Sequence, residues 1–245
     1  MSNPAIRVEN LSKRFGKRAV VDGLSFEVPV GGVCGFLGRN GSGKTTTLRM
    51  LMNLIDPSGG HASLLGQDAR RDHARLMQRV GYVPESPDLY DWMQVRELLR
   101  FTSRFYRHWN SSLVGSLLQR FGVDPQQRVR HLSRGTQAQV ALALAMGHDP
   151  ELLILDEPAT GLDVLVRRNF LESIIQIVQQ EGRSVLFSSH LVHEVERVAD
   201  QIVVIDSGQL LVSARTEELK QEAGQSLEEI FVNLVGGAHA AEVRS

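Results

Sequence analysis

The stretch that most limits what this chain can become is Gly38-Arg39-Asn40-Gly41-Ser42-Gly43-Lys44-Thr45, which satisfies G-x-x-x-x-G-K-[ST] at every fixed position. The apolar run Val33-Cys34-Gly35-Phe36-Leu37 before it predicts a buried strand, and Thr46 to Leu54 after it predicts a helix. A glycine-rich turn of no chemical consequence needs neither flank, whereas a phosphate cradle needs both. Its glycines let the backbone curl with the N–H groups inward, and the helix behind adds its unsatisfied N–H groups and the positive end of its dipole. Gly38, Asn40, Gly41, Ser42, Gly43 and Thr46 then surround a polyphosphate, Lys44 reaches its β and γ phosphates, and the Thr45 hydroxyl holds Mg²⁺. An α/β fold follows, but the loop alone does not separate kinases, GTPases and ATPases.

The rest of the chain narrows the class. With 245 residues and 42% hydrophobic content it is long enough for one large domain or two small ones around a packed core. A net charge of -1 gives no general attraction to nucleic acid, so no nucleic-acid partner is expected. The single Cys34 sits inside an apolar run, which excludes an internal disulfide and marks it as a small buried residue. The start, Met1-Ser2-Asn3-Pro4, lacks a charged-then-apolar leader, and apolar runs such as Val140 to Met146 fall short of the roughly 20 residues that span a bilayer. A cytosolic chain is expected, unless a partner holds it at a membrane. No repeat or low-complexity tract interrupts it.

Ile6 to Glu9 and Leu24 to Val28 alternate as an antiparallel β ribbon would, with Lys13 to Arg18 as a basic turn between them. Phe15, in that turn, is suited either to stacking on a nucleotide base or to anchoring the ribbon. Asp56 to Gly60 predicts a turn, and Ala62 to Leu65 and Val80 to Pro84 predict strands. From Asp91 to Phe121 the spacing becomes helical, an insertion that runs on to Leu132-Ser133-Arg134-Gly135-Thr136-Gln137, where Ser133 can cap a helix over Ala138 to Met146. Strands are expected at Leu152 to Leu155, Ser184 to Phe187 and Ile202 to Ile205, with helices over Val164 to Gln180 and up to Ala199 between them. That alternation is the mark of a parallel sheet with right-handed crossovers. In the tail, Ser226-Leu227-Glu228-Glu229 is a capping box opening a helix over Ile230 to Val235, which Gly236 and Gly237 are expected to stop.

Asp156 and Glu157 follow four apolar residues, where an α/β sheet presents acids to its ligand crevice. A cradled triphosphate needs one carboxylate for its metal and another to orient the attacking water. His190, after the strand from Ser184, is placed either to contact a γ-phosphate or to orient Glu157. The order His190, His193, Glu194 matches no zinc-helix pattern, and no N/T-K-x-D element reads guanine, so adenine is the better base.

Taken together, the Gly38 to Thr45 cradle, Gly81-Tyr82-Val83-Pro84-Glu85, Leu132 to Gln137, Leu152 to Glu157, Gly161-Leu162-Asp163 and His190 resemble, in order and spacing, the ATP-binding subunit of an ABC transporter, over about Ile6 to Val212. The resemblance implies a P-loop NTPase core with a parallel sheet, an N-terminal antiparallel β ribbon and an inserted helical subdomain. It divides the chain into an ATPase domain over 1–215 (core 1–84 and 150–215, helical part about 85–149) and a short helical tail over 216–245. It implies ATP and Mg²⁺ as cofactors, Phe15 as the adenine-stacking ring, Thr45 and Asp156 at the metal, Glu157 as base and His190 as switch residue. Ser133 and Gly135 would serve the ATP of a second subunit, in a homo- or heterodimer, with Asp163 at the interface. The expected setting is the cytoplasmic face of a membrane, on a separate multi-span permease. Two departures stand out: Leu-Ser-Arg-Gly-Thr replaces the usual LSGGQ, and Glu85 takes the place of a glutamine near the metal. With the Ser226 tail they resemble the exporter branch. A soluble ATPase of the same type acting on a protein or ribosome is the alternative, and a P-loop kinase would not need the signature.

Overall fold

A computed structural model describes residues 3–71, 73–163, 166–168, 170–174 and 182–242. Its strands are β1 (Ile6–Phe15), β2 (Arg18–Val28), β3 (Gly32–Leu37), β4 (Gly59–Leu64), β5 (Gln67–Asp68), β6 (Val80–Val83), β7 (Leu152–Leu155), β8 (Ser184–Ser189), β9 (Gln201–Asp206) and β10 (Gln209–Arg215). They form a four-stranded antiparallel sheet, β2-β1-β4-β5, and a six-stranded sheet, β10-β9-β3-β8-β7-β6. The second is parallel except for its edge strand β10, which runs antiparallel to β9.

Strand periodicity of two divides the core. Cys34, Phe36, Leu152, Ile154, Leu186, Val203 and Ile205 face the antiparallel sheet and the helix Lys44–Leu51. The alternate residues Val33, Leu37, Leu153, Leu155, Val185, Phe187, Ile202 and Val204 belong to the second half of the core, in which the helix Val192–Glu196 packs on β3 and β8, Leu227–Glu242 on β9 and Arg134–Met146 on β6, with Val95–Ser103 and Ser111–Phe121 completing the cluster. Both faces are covered, which is why β7 reads as an unbroken apolar run. Burial in that setting drives the Cys34 thiol far above its ordinary range, so it stays protonated and inert.

Several boundaries differ from the sequence reading, each for a local reason. The ribbon is longer: β1 and β2 pair out to Phe15 opposite Arg18, so Phe15 ends a strand and the turn is only Gly16-Lys17. The helix after the cradle begins at Lys44, not Thr46, because Gly43 at φ 105 lets it start within the motif. It stops at Leu51 because Asn53 takes φ 51 and the N–H groups of Asn53 and Leu54 close on the carbonyls of Met50 and Arg49 at 3.0 and 2.8 Å, a Schellman turn. Ser133 caps its helix as expected, but that helix starts at Arg134. The tail helix Leu227–Glu242 runs through Gly236 and Gly237. Neither glycine has positive φ, and a glycine in helical geometry costs about 1 kcal/mol without ending the helix. The expected helix over Val164 to Gln180 falls partly outside the described residues; 166–168 and 170–174 are helical.

Candidate functional site

The C-terminal ends of β3, β7 and β8 deliver the cradle, the acidic pair and His190 to one edge of the parallel sheet. Parallel register sets this: Leu37 of β3 pairs with Ser189 of β8, and Leu155 of β7 with Phe187. The three strands therefore end side by side. A cleft of about 470 Å³ opens there, lined by Phe15, Arg18, Asn40, Gly41, Gly43, Lys44, Thr45, Thr46, Glu85, Glu157, Thr160 and His190, among others.

Two glycines make the cradle possible. A Cβ on Gly38 would lie 2.4 Å from Ser42 Oγ and 2.6 Å from the Ile205 carbonyl oxygen, and one on Gly43 would lie 2.8 Å from the Val20 carbonyl oxygen. The Ser42 hydroxyl is buried inside the loop with no hydrogen-bond partner among the described residues, a donor prepared for an anion. Lys44 is only 5% exposed and sends Nζ to the carbonyl oxygens of Gly38 (2.7 Å) and Arg39 (3.3 Å) and to Glu157 Oε1 (3.1 Å).

The carboxylates occupy contrasting environments. Asp156, 1% exposed, accepts hydrogen bonds on Oδ1 from Thr45 Oγ1 at 3.1 Å and Ser188 Oγ at 2.9 Å. Burial pushes its carboxyl above the usual range, the two hydroxyls pull it back, and the charges of Glu85 and Glu157 push it up again. Such a buried carboxylate, raised by desolvation and neighbouring acids, fits a divalent cation beside Thr45. Glu157 is also buried and burial raises it, but the Lys44 charge and hydrogen bonds from His190 and Lys44 outweigh that and hold its carboxyl below the ordinary range. Its Oε2 accepts from His190 Nδ1 at 2.8 Å and from Thr160 Oγ1 at 3.1 Å. Its backbone takes φ 47, a left-handed conformation uncommon for glutamate, and its N–H donates to Ser188 Oγ at 2.8 Å.

Phe15 is 53% exposed at the cleft, with Lys13 Nζ 5.1 Å from its ring centroid on one side. Ser133 and Gly135 do not line this cleft; they stand at the N-terminus of the helix Arg134–Met146, with Ser133 exposed. Asp163 Oδ1 accepts from Val166 N at 3.0 Å, capping the next helical turn. Sequence reading passed over Arg18, Thr160 and Ser188. Arg18 was signalled only by its pairing with Phe15, and Ser188 by being a hydroxyl near the end of a fully buried strand, two residues before His190.

A cradle closed by Lys44, an acid pair at the end of β7 and a histidine just after β8, the strand between β3 and β7, define a P-loop nucleotide hydrolase. The family model described as ABC transporter matches residues 21–160. The chain is 36% identical over 239 residues to the ABC transporter ATP-binding protein NatA of Bacillus subtilis (strain 168), covering 93% of this chain and 97% of that protein. It is 38% identical over 239 residues to the Nod factor export ATP-binding protein I of Burkholderia orbicola (strain AU 1054), covering 94% of this chain and 78% of that one. A solved ATP-binding subunit of an ABC transporter superimposes with a TM-score of 0.86 at 27% identity, covering 94% of this chain and 99% of that one. The chain belongs to the ABC transporter family, as one of its ATP-binding, ATP-hydrolysing subunits. No helix of the described residues is long and apolar enough to cross a membrane.

Proposed function

We propose that this chain powers export through a separate multi-span permease, working as a head-to-tail pair of ATPase subunits. A relative named for Nod factor export supports the direction, and relatives named for transport favour this reading over a soluble ATPase acting on a protein or ribosome. Since no described helix crosses a membrane, attachment to its cytoplasmic face falls to the permease. The ATPase domain occupies 1–215, with the helical subdomain at about 85–149 set between a core of 1–84 and 150–215; 216–245 form the tail.

Within that reading Gly38, Asn40, Gly41, Ser42, Gly43 and Thr46 hold the phosphates, and Lys44 transfers from Glu157 to the β and γ oxygens. Phe15 stacks on adenine through the ring face away from Lys13. Thr45 and Asp156, with Glu85 nearby in the cleft, would hold Mg²⁺, which would supply charge neutralisation for the phosphates. Glu157 draws the proton from the attacking water, and His190 orients Glu157. Ser133 and Gly135 of one subunit close over the ATP of the other, and Asp163 lies at that interface. The observation that carries all this is the sharing of Glu157 between Lys44 and His190 beside the Thr45–Asp156 pair. Glu157→Gln should bind ATP, accumulate closed dimers on gel filtration and lose roughly 10²–10⁴ in turnover; hydrolysis at the parent rate would place the base elsewhere.

A further inference from the structure

Thr160 follows the acidic pair and belongs to none of the roles above, yet its side chain reaches the carboxylate that matters. The turn from Glu157 to Thr160 is closed by the Thr160 N–H donating to the Glu157 carbonyl at 3.0 Å. Within it the Thr160 hydroxyl donates to Glu157 Oε2 at 3.1 Å, the same oxygen that accepts from His190 Nδ1 at 2.8 Å. The other oxygen, Oε1, faces Lys44 Nζ at 3.1 Å. One carboxylate thus has two unlike ends: Oε2 accepts from His190 and Thr160 of its own chain, and Oε1 faces the lysine that a bound triphosphate draws away.

We propose that Thr160 is a positioning residue that, with His190, keeps Oε2 occupied so that Oε1, once Lys44 has moved to the phosphates, is the oxygen that meets the attacking water. This rests on the reading of Glu157 as the base. In the step itself, Oε1 takes a proton from water as the water oxygen bonds to the γ-phosphorus. The bond from that phosphorus to the β–γ bridging oxygen breaks, and ADP leaves with the electron pair. A carboxylate held at one oxygen cannot rotate its other oxygen away from the line of attack, and orientation of this kind acts on turnover rather than on substrate affinity. The Thr160 side chain is exposed at the cleft, so an isosteric change there leaves the core undisturbed.

The test uses the full chain, with its permease where turnover requires one. Thr160→Val removes the hydroxyl at constant shape, and Thr160→Ser keeps it. Thr160→Val should lower kcat for ATP roughly five- to tenfold with KM unchanged. Thr160→Ser should restore kcat. Parent kcat in Thr160→Val, a rise in KM that accounts for the lost rate, or failure of Thr160→Ser to rescue would each overturn the proposal. Glu157→Gln run in parallel keeps the two readings apart: if it hydrolyses normally the base assignment falls, and if it is inactive while Thr160→Val is unaltered only the role of Thr160 falls.

Discussion

Ser188 is completely buried in β8, and its hydroxyl joins the two halves of the acidic pair: it accepts from the Glu157 N–H at 2.8 Å and donates to Asp156 Oδ1 at 2.9 Å. Ser188→Ala removes one oxygen and leaves the strand otherwise intact. The Glu157 N–H is then a buried donor with no partner, which costs about 1–3 kcal/mol, and Asp156 loses one of two hydroxyl donors, a charge-assisted bond contributing about 1.5–3 kcal/mol. Partial relaxation makes about 3 kcal/mol a fair total. For a chain of this size that lowers Tm by roughly 6–12 °C. The positive φ of Glu157 is held from outside by this bond, so the carboxylate also loses its aim, and ATP turnover should fall with stability.

The pH dependence follows from Asp156. Its folded carboxyl lies above the unfolded value of 3.8, because burial and the neighbouring acids outweigh the Thr45 and Ser188 hydroxyls. A group raised on folding binds its proton more tightly in the native state, so its contribution is fully present below the unfolded value and is lost as pH rises through the folded one. Ser188→Ala raises it further. The Tm difference between parent and variant should therefore be smaller below pH 3.8, where the carboxyl takes up its proton, than at neutral pH. Melting curves by circular dichroism at both pH values check this. A Tm within about 1 °C of the parent at neutral pH, or a larger loss at acid pH, would refute the bridging role.

Phe15→Ala should weaken ATP about 5- to 150-fold by calorimetry while leaving Tm nearly unchanged, because the ring is half exposed and a lost base stack removes roughly 1–3 kcal/mol. Lys44→Ala should abolish productive ATP binding in the same assay, since it removes the ammonium buried inside the cradle; normal ATPase activity in this variant would remove the cradle assignment.

Much of the core and cleft was legible because it is local. The cradle declares itself through glycines whose Cβ atoms have no room, and the acidic pair through the apolar strand before it. The edge strand β10 was not legible: Gln209–Arg215 is half exposed and mixed in composition, and only its pairing with β9 makes it a strand. Nor were Ser188 and Thr160. A serine in a buried strand and a threonine in a turn have common structural uses, and what singles these out is the fold's delivery of β7 and β8 to the same edge, with Ser188 brought 2.9 Å from an acid 32 positions away. The glycines at 236 and 237 do not stop their helix because a stop requires a left-handed backbone conformation that neither adopts.

The altered signature illustrates how sequence departures sort by space. Gly135 is the tighter position: a Cβ there would lie 3.1 Å from Val166 Cγ1 and 3.5 Å from Leu162 Cδ2, so the Val166 side chain would have to give by a few tenths of an ångström. Glycine is retained at that position. Arg134 stands exposed beside it and meets no such limit. Thr136 does more than fit, because its hydroxyl lies 2.8 Å from Ser133 Oγ while its N–H donates to the same oxygen at 3.1 Å. The two hydroxyls are thus paired within the first turn of the helix, either of them able to donate, and the two altered residues fall where the fold leaves room for them.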